Sequence, residues 1–422
     1  MANKANTAEM KYNQVAGLDI GNGCVKGQIR SNMSKDDACI DIQSVAVQKR
    51  TVDGEIRHDM SDADAIIGNI YNHMDATYES PCLEETGRYI IGNAAIISGN
   101  FQIMFDLGEN ERKSEQELSP ILTLGCIAGK ALQDAWQTTH TLPEIINVNV
   151  LVATLALPIQ EFRTSREKYA ALYAGNTHKV TIHTFYQDVV VNIIFDNVQV
   201  LAEGGAATFA IRAGGADLSK RLIADANAVS GQNITLSAEQ VSGIRAIMGI
   251  DIGEGTTNFT FYDENGNLNA EASASIANGY GKVLEDSLAE LHNAGHHYET
   301  RKDLQTFLNS DETRMTRAAE YAKVQSIVDG AIDDFAAQIA GVFQRQMKRH
   351  SAHINAIYVY GGGATAMKHA LFPALVKKLR KLNAGIDAQP VLYFDNPDAR
   401  FLNRDGLFLA ANQILKLTGK TL

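Results

Sequence analysis

The sequence predicts an α/β protein of two or more domains, and three observations carry that prediction. Short β-branched runs alternate with segments whose apolar residues recur at helical spacing, the pattern of layered α/β folds. At 422 residues, with 45% hydrophobic and 21% charged content, the chain is ordinary globular material and too long for one small core. A seven-residue element also occurs twice, with its aspartates at positions 19 and 251, a domain length apart.

The strand-like runs are Val15 to Ile20, Ile145 to Leu157, Val189 to Phe195, Ile247 to Ile252, Phe259 to Tyr262 and Ile354 to Tyr360. Helical spacing is clearest over Leu118 to Trp136, Lys282 to Leu291, Arg317 to Arg349, Ala366 to Leu382 and Arg404 to Leu417. In the longest of these, Tyr321, Val324, Ile327, Val328, Ile332, Phe335, Ile339, Val342 and Phe343 fall on one stripe. Glycines at 330 and 341 favour a helix packed on a sheet over a coiled-coil seam. Three polar stretches, Ser31 to Asp37, Asp59 to Ser80 and Gly108 to Glu117, read as surface loops. The last holds Glu109, Glu111, Glu115 and Glu117 without the glycine turn of a calcium loop, so it reads as a solvated acidic segment. Trp136 is expected in the core, and His292, His296 and His297 as loop residues at a helix end.

Bulk properties narrow the function. A net charge of −11 opposes direct, sequence-independent attachment to DNA, so any link to DNA is expected to pass through a partner. No apolar stretch reaches the roughly 20 residues of a bilayer span, and the polar Met1 to Gln14 lacks the apolar core of a secretory signal. A cytoplasmic protein without a membrane partner is expected. Cys24, Cys39, Cys82 and Cys126 form no close pair and are expected as reduced thiols.

The repeat carries the chemistry. Gly17-Leu18-Asp19-Ile20-Gly21-Asn22-Gly23 matches Gly249-Ile250-Asp251-Ile252-Gly253-Glu254-Gly255, each after apolar residues and before another strand-like run. An Asp at the end of a buried strand is costly to desolvate and should face a cation or polar ligand. A Gly-X-Gly turn lets the backbone approach a ligand and aim N–H groups at its oxygens. Two such hairpins can clamp a polyphosphate while their aspartates hold magnesium through its waters. Lys26 can add a point charge to the first turn, and Thr256 and Thr257 can donate hydroxyls in the second. A third element, Gly361-Gly362-Gly363-Ala364, follows a strand and precedes a helix, where glycines let a flat ligand or its sugar lie on the backbone.

The order of these three elements resembles the superfamily of actin, sugar kinases and seventy-kilodalton heat-shock chaperones. Finer features resemble the bacterial plasmid-segregation actins of the ParM kind: Gly87 to Ala95, with its strand and Gly-X-Ala-Ala turn, Leu155-Ala156-Leu157-Pro158, and the closing stretch from Asn396-Pro397 through Gly406-Leu407. The resemblance implies an α/β actin-like fold, a duplicated ribonuclease H-like two-domain ATPase with the nucleotide in the interdomain cleft. Domain I would hold residues 1–205 plus 396–422, and domain II 206–395.

The resemblance also implies roles. Glu203, after the run Val198 to Ala202, would orient the water that attacks the γ-phosphate, with Asp19 and Asp251 holding Mg2+ through water. Gly21, Asn22, Gly23, Cys24 and Lys26 would meet the phosphates, as would Gly253, Glu254, Gly255, Thr256 and Thr257. Lys282 and Glu285 would contact ribose and adenine, and Gly361 to Ala364 the adenosine. Cys24 stands where many relatives carry a polar residue. Glu254 stands where ParM-like chains often have Gly; it could act on the magnesium waters, or repel phosphate if no metal is bound. The implied cofactor is ATP, with GTP left open. The implied activity is ATP hydrolysis that controls the turnover of filaments. The implied partner is a small ParR-like DNA-binding adaptor that links the filament to plasmid or similar DNA. The alternative is a small-molecule kinase, which needs a carboxylate base beside an acceptor pocket; no motif marks one. A chaperone-like switch usually carries a peptide-binding domain after the ATPase core, where only a closing helix follows here.

Overall fold

A computed structural model of the chain describes residues 11–50, 57–106, 112–350, 353–395 and 397–422. Most of the polar N-terminal stretch, Glu109 and Glu111 of the acidic segment, and Asn396 lie outside the described residues. The chain forms two compact units: one of residues 1–202 with 403–422, the other of residues 203–402.

Unit one is built on a mixed sheet. Its strands run in the order Ala38–Gln43, Cys24–Ser31, Tyr12–Ile20, Ile145–Leu157, Val189–Phe195, Thr177–Ile182, Asp75–Glu79, Gly87–Ile91 and Ala46–Gln48. Val198–Ala202 adds to the second half of the long strand Ile145–Leu157. The predicted runs Ile145 to Leu157 and Val189 to Phe195 are strands with those same ends. Val189–Phe195 and the first half of Ile145–Leu157 bury alternate residues, whereas the second half of the long strand, from Val150 on, is buried throughout and needs no polar face. The helix Leu118–Thr139 packs its apolar residues, among them Ile121, Leu124 and Leu132, into the core of this unit.

Unit two holds a five-stranded sheet in the order Ala274–Ile276, Thr257–Phe261, Ile247–Ile252, Ala356–Tyr360 and Val391–Tyr393. Most of the stripe of the helix Ala318–His350 is buried in the core of this unit, with Tyr321 and Ile327 partly buried against it, as helix-on-sheet packing requires. Comparing the sheets exposes the duplication. In unit one, Ala38–Gln43, Cys24–Ser31 and Tyr12–Ile20 pair antiparallel in succession, and Ile145–Leu157 and Val198–Ala202 follow in parallel. The five strands of unit two repeat those senses in that order.

The helix Asp398–Leu417 closes the chain. Ala399 and Leu402 belong to the core of unit two, whereas Ala411 and Leu415 pack with Val15, Leu151 and Val152 in unit one. In unit one the helix lies directly on the strand of the first repeat: a Cβ on Gly17 would sit 2.3 Å from the Phe408 nitrogen, and the Thr154 hydroxyl donates to the Leu407 carbonyl at 2.7 Å. Because the obstacle is backbone, no side chain can swing away. Gly17→Ala is therefore expected to cost about 3 kcal/mol, at the top of the overpacking range, read as a lower midpoint in thermal unfolding.

Two expectations need correction. Asp59 to Ser80 is not a plain surface loop: it contains the helix Ala63–Gly68 and the strand Asp75–Glu79. Its polar residues alternate with Ile66, Ile67, Ile70, Tyr71 and Met74, all buried. Trp136 is only half-buried: it packs against the core of unit one from the edge, with its indole N–H donating to Asp64 at 2.7 Å.

Candidate functional site

Each unit carries one copy of the repeated element, and the copies are built alike. In unit one Asp19 stands opposite Lys26 across the hairpin; in unit two Asp251 stands opposite Asn258. The turns close with the same bond. The Gly21 N–H donates to the Cys24 carbonyl at 3.1 Å, and the Gly253 N–H to the Thr256 carbonyl at 2.9 Å. A Cβ on Gly21 would come within 2.7 Å of the carbonyl oxygen it bonds, which explains the glycine at that position. Asp19 and Asp251 are each 5% exposed, so both carboxylates sit at the edge of a core where charge is costly without a partner. Lys26 supplies one for Asp19 at 3.5 Å.

Neighbouring segments brace both turns. In unit one the Ser44 N–H donates to the Gly23 carbonyl at 3.0 Å and its hydroxyl to the Gly21 carbonyl, while Asn22, Gly23 and Cys24 stay partly accessible. In unit two the turn is docked on the start of the helix Tyr280–Asn293. The Tyr280 N–H donates to the Gly253 carbonyl and the Gly281 N–H to the Glu254 carbonyl, each at 2.9 Å. Thr257 is buried, and its hydroxyl donates to the Asn278 carbonyl at 3.0 Å; Gly255 and Thr256 remain partly accessible. Lys282 is exposed and pairs with Asp286 at 2.8 Å, while Arg301 reaches both Glu285 and Glu254.

The glycine turn meets the second hairpin directly. Tyr360 stands beside Asp251 in parallel register, and the chain then turns through Gly361 at a φ of +104°. A Cβ there would lie 2.5 Å from Asp251 Oδ1 and 2.4 Å from the Ile252 carbonyl oxygen. The Gly363 N–H donates to that carbonyl at 2.9 Å, Gly362 faces open space, and Ala364 begins the next helix.

Glu203 follows the strand Val198–Ala202, where the resemblance placed it. Gly204, at a φ of +73°, brings this segment against Asp251: a Cβ on it would be 3.2 Å from the Asp251 Cβ. Two phenols hold the segment. The Tyr360 hydroxyl donates to the Gly204 carbonyl, and the Tyr262 hydroxyl to the Gly205 carbonyl at 2.7 Å. Burial pushes the Tyr262 hydroxyl up to about 12, and burial with the nearby Asp251 carboxylate pushes Tyr360 well above its ordinary value. Both therefore remain donors at physiological pH. Both tyrosines end strand-like runs of the sequence, where nothing local marks a partner for the hydroxyl. The available signal was Tyr in place of Phe within buried strands, where a hydroxyl demands a partner.

Within unit two, then, the segment Gly204-Gly205 that follows Glu203, Asp251, the second hairpin, the glycine turn and the helix bearing Lys282 and Glu285 are joined by direct contacts. Unit one presents Asp19, Lys26 and the first turn. Among the described residues no group of three or more His, Cys, Asp or Glu could cage a metal, and His292 and His297 lie 3.1 Å from one another at an exposed helix end. A cavity of about 550 Å³ opens elsewhere in unit one, lined by Asp41, Asp64, Tyr71, Lys130 and Trp136 among others. None of the expected site residues lines it. Among the described residues no helix is long and apolar enough to cross a membrane.

Comparison with known proteins bears on the fold. The family model of the archaeal actin homologue MreB-like, C-terminal part, matches residues 249–372, from just before Asp251 to beyond the glycine turn. The actin-like protein Alp7A is similar in structure with a TM-score of 0.65 and 14% identity, covering 97% of this chain and 99% of its own. Bacillus thuringiensis ParM with ATP has a TM-score of 0.59 and 15% identity, covering 96% and 99%. A non-polymerisable quadruple mutant of pCBH ParM has a TM-score of 0.55 and 16% identity, covering 96% and 100%. No curated protein matches the chain by sequence. The chain thus has the two-domain α/β actin-like fold. Among proteins of that fold, it resembles those of the ParM and Alp7A kind.

Proposed function

We propose that this chain is an ATPase that assembles head to tail into filaments and hydrolyses ATP within them. The observation that supports it most is the matched pair of hairpins, each with a nearly buried Asp at one register position beside a glycine turn. Backbone N–H groups of the two turns, with Lys26 and Thr256, bind the phosphates, and Glu203 orients the attacking water. Gly361 to Ala364, Lys282 and Glu285 receive the adenosine. Asp19 and Asp251, each a nearly buried carboxylate, would hold magnesium through its waters, as suits an ion that dehydrates reluctantly. The bound ion would neutralise charge that develops on the phosphates.

Self-association is supported by the likeness to ParM, one relative of which is known as a non-polymerisable mutant. A heterologous contact that does not close on itself yields an open helix of subunits. The cargo would be plasmid or similar DNA held through a small adaptor of opposite charge character, since the net charge of −11 disfavours direct contact with DNA. The test is phosphate release together with sedimentation and negative-stain microscopy, with ATP, GTP or no nucleotide in the presence of magnesium. Filaments that appear with nucleotide and shorten as phosphate is released are expected. Monomers at every concentration would remove the filament reading, and phosphate transferred to a metabolite would favour the kinase.

A further inference from the structure

We infer that Arg301 is a positioning residue of the nucleotide site, one that neutralises Glu254 in the second phosphate turn and ties that turn to the helix bearing Lys282 and Glu285. The inference rests on the nucleotide reading above and adds to it a residue that neither the repeat nor the resemblance points to.

The electrostatic problem comes first. Glu254 sits in the middle of the second turn, between Gly253 and Gly255, with its side chain 41% exposed. A carboxylate there repels phosphate oxygens brought to the same turn, because like charges at contact distance interact strongly beside low-dielectric protein. Arg301 answers it. Its guanidinium lies 3.4 Å from Glu254 Oε1 and 3.3 Å from Glu285 Oε1, and so bridges the phosphate turn and the neighbouring helix.

The fold delivers this side chain deliberately. Arg301 is the first residue of the helix Arg301–Asn309, whose start is fixed by a reciprocal capping box between Thr300 and Asp303. The guanidinium occupies a notch that glycine leaves open: a Cβ on Gly281 would lie 2.5 Å from Arg301 Nη1. Gly281 also gives its N–H to the Glu254 carbonyl, so one residue serves both links between turn and helix. The pairs are longer than the 2.8 Å contact of Arg30 with Asp37, and Arg301 is 30% exposed. The guanidinium is thus partly solvated, and its pairs with Glu254 and Glu285 are moderated by water.

The experiment is titration of the full-length protein with a fluorescent ATP analogue, with and without magnesium, for the wild type, R301Q, R301K, E254Q and R301Q/E254Q. R301Q should weaken metal-free binding about tenfold, and less with magnesium, whose charge also answers Glu254. R301K should stay within about threefold of the wild type, as a point charge suffices for neutralisation. E254Q, which keeps the arginine and loses the repulsion, should bind metal-free nucleotide several-fold tighter, by about threefold or more. In the E254Q background the arginine change should cost less than about threefold, the non-additivity of coupled residues. Equal affinities for R301Q and wild type would overturn the inference, as would an R301Q loss of the same size in the E254Q background, which would mark a structural role. Should R301Q fail to fold, E254Q decides the matter: metal-free binding no tighter than wild type overturns the inference. A wild type that binds no nucleotide sinks the nucleotide reading itself, a result distinct from each of these.

Discussion

Glu203→Gln lowers the rate of phosphate release by about 10²- to 10³-fold and leaves nucleotide affinity within about twofold; this is the expected result if the carboxylate positions the attacking water. The expectation rests on where the fold holds this residue. Its neighbour Gly204 packs against Asp251, and the hydroxyls of Tyr360 and Tyr262 fix the backbone on its C-terminal side. Such bracing supports a group that must stand at one place when the reaction occurs. The competing role is a carboxylate that favours the start of the helix Ala207–Ser230 through the helix dipole. That helix has Ala206 at its N-cap, a residue whose side chain offers no capping hydrogen bond. A dipole role predicts a different outcome, a stability loss of roughly 0.3–1 kcal/mol with turnover intact. Phosphate release within threefold of wild type, measured beside a thermal melt, would therefore take Glu203 out of the chemistry.

The second large effect lies in the glycine turn. Gly361→Ala should destabilise unit two by about 3 kcal/mol or more, because the new methyl meets strained backbone and fixed atoms at once. The φ of +104° is disfavoured for any residue with a Cβ, and that atom would lie within 2.6 Å of Asp251 Oδ1 and of the Ile252 carbonyl oxygen and nitrogen. The adjacent Gly362→Ala is the control. Nothing lies within 4 Å of its added methyl, so stability should stay within about 0.5 kcal/mol of wild type. That methyl points into the space where the adenosine is proposed to rest, so nucleotide affinity should fall although the protein stays folded. Gly362→Ala with unchanged affinity would separate this turn from the nucleotide.

Much of this architecture was legible because burial leaves a local trace. Ile247 to Ile252 reads as a strand from β-branching alone, and the structure ends it at the same residues. The two hairpins were legible because the motif repeats, glycines and aspartates at the same offsets being visible without any knowledge of contacts. Asp59 to Ser80 was not, since its polar residues outnumber the short apolar groups that anchor it, and only the core shows which of them face inward. Tyr262, Tyr360 and Arg301 were missed for another reason. Tyr360 meets Gly204 across 156 positions of sequence, and nothing local to either residue marks the contact. Arg301 looks like any charge at a helix start until Gly281 and Glu254 are seen beside it.

The shared register of the two hairpins limits how this protein can vary. Side chains in a strand alternate between faces, so one inserted or deleted residue in either turn would send everything after it to the opposite side. The aspartate would lose its facing partner, Lys26 in one copy and Asn258 in the other, and buried residues of the following strand would turn outward. Loop length is thereby constrained at both places, while the residue between the glycines is not set by the register. Asn22 in one copy and Glu254 in the other already record such divergence.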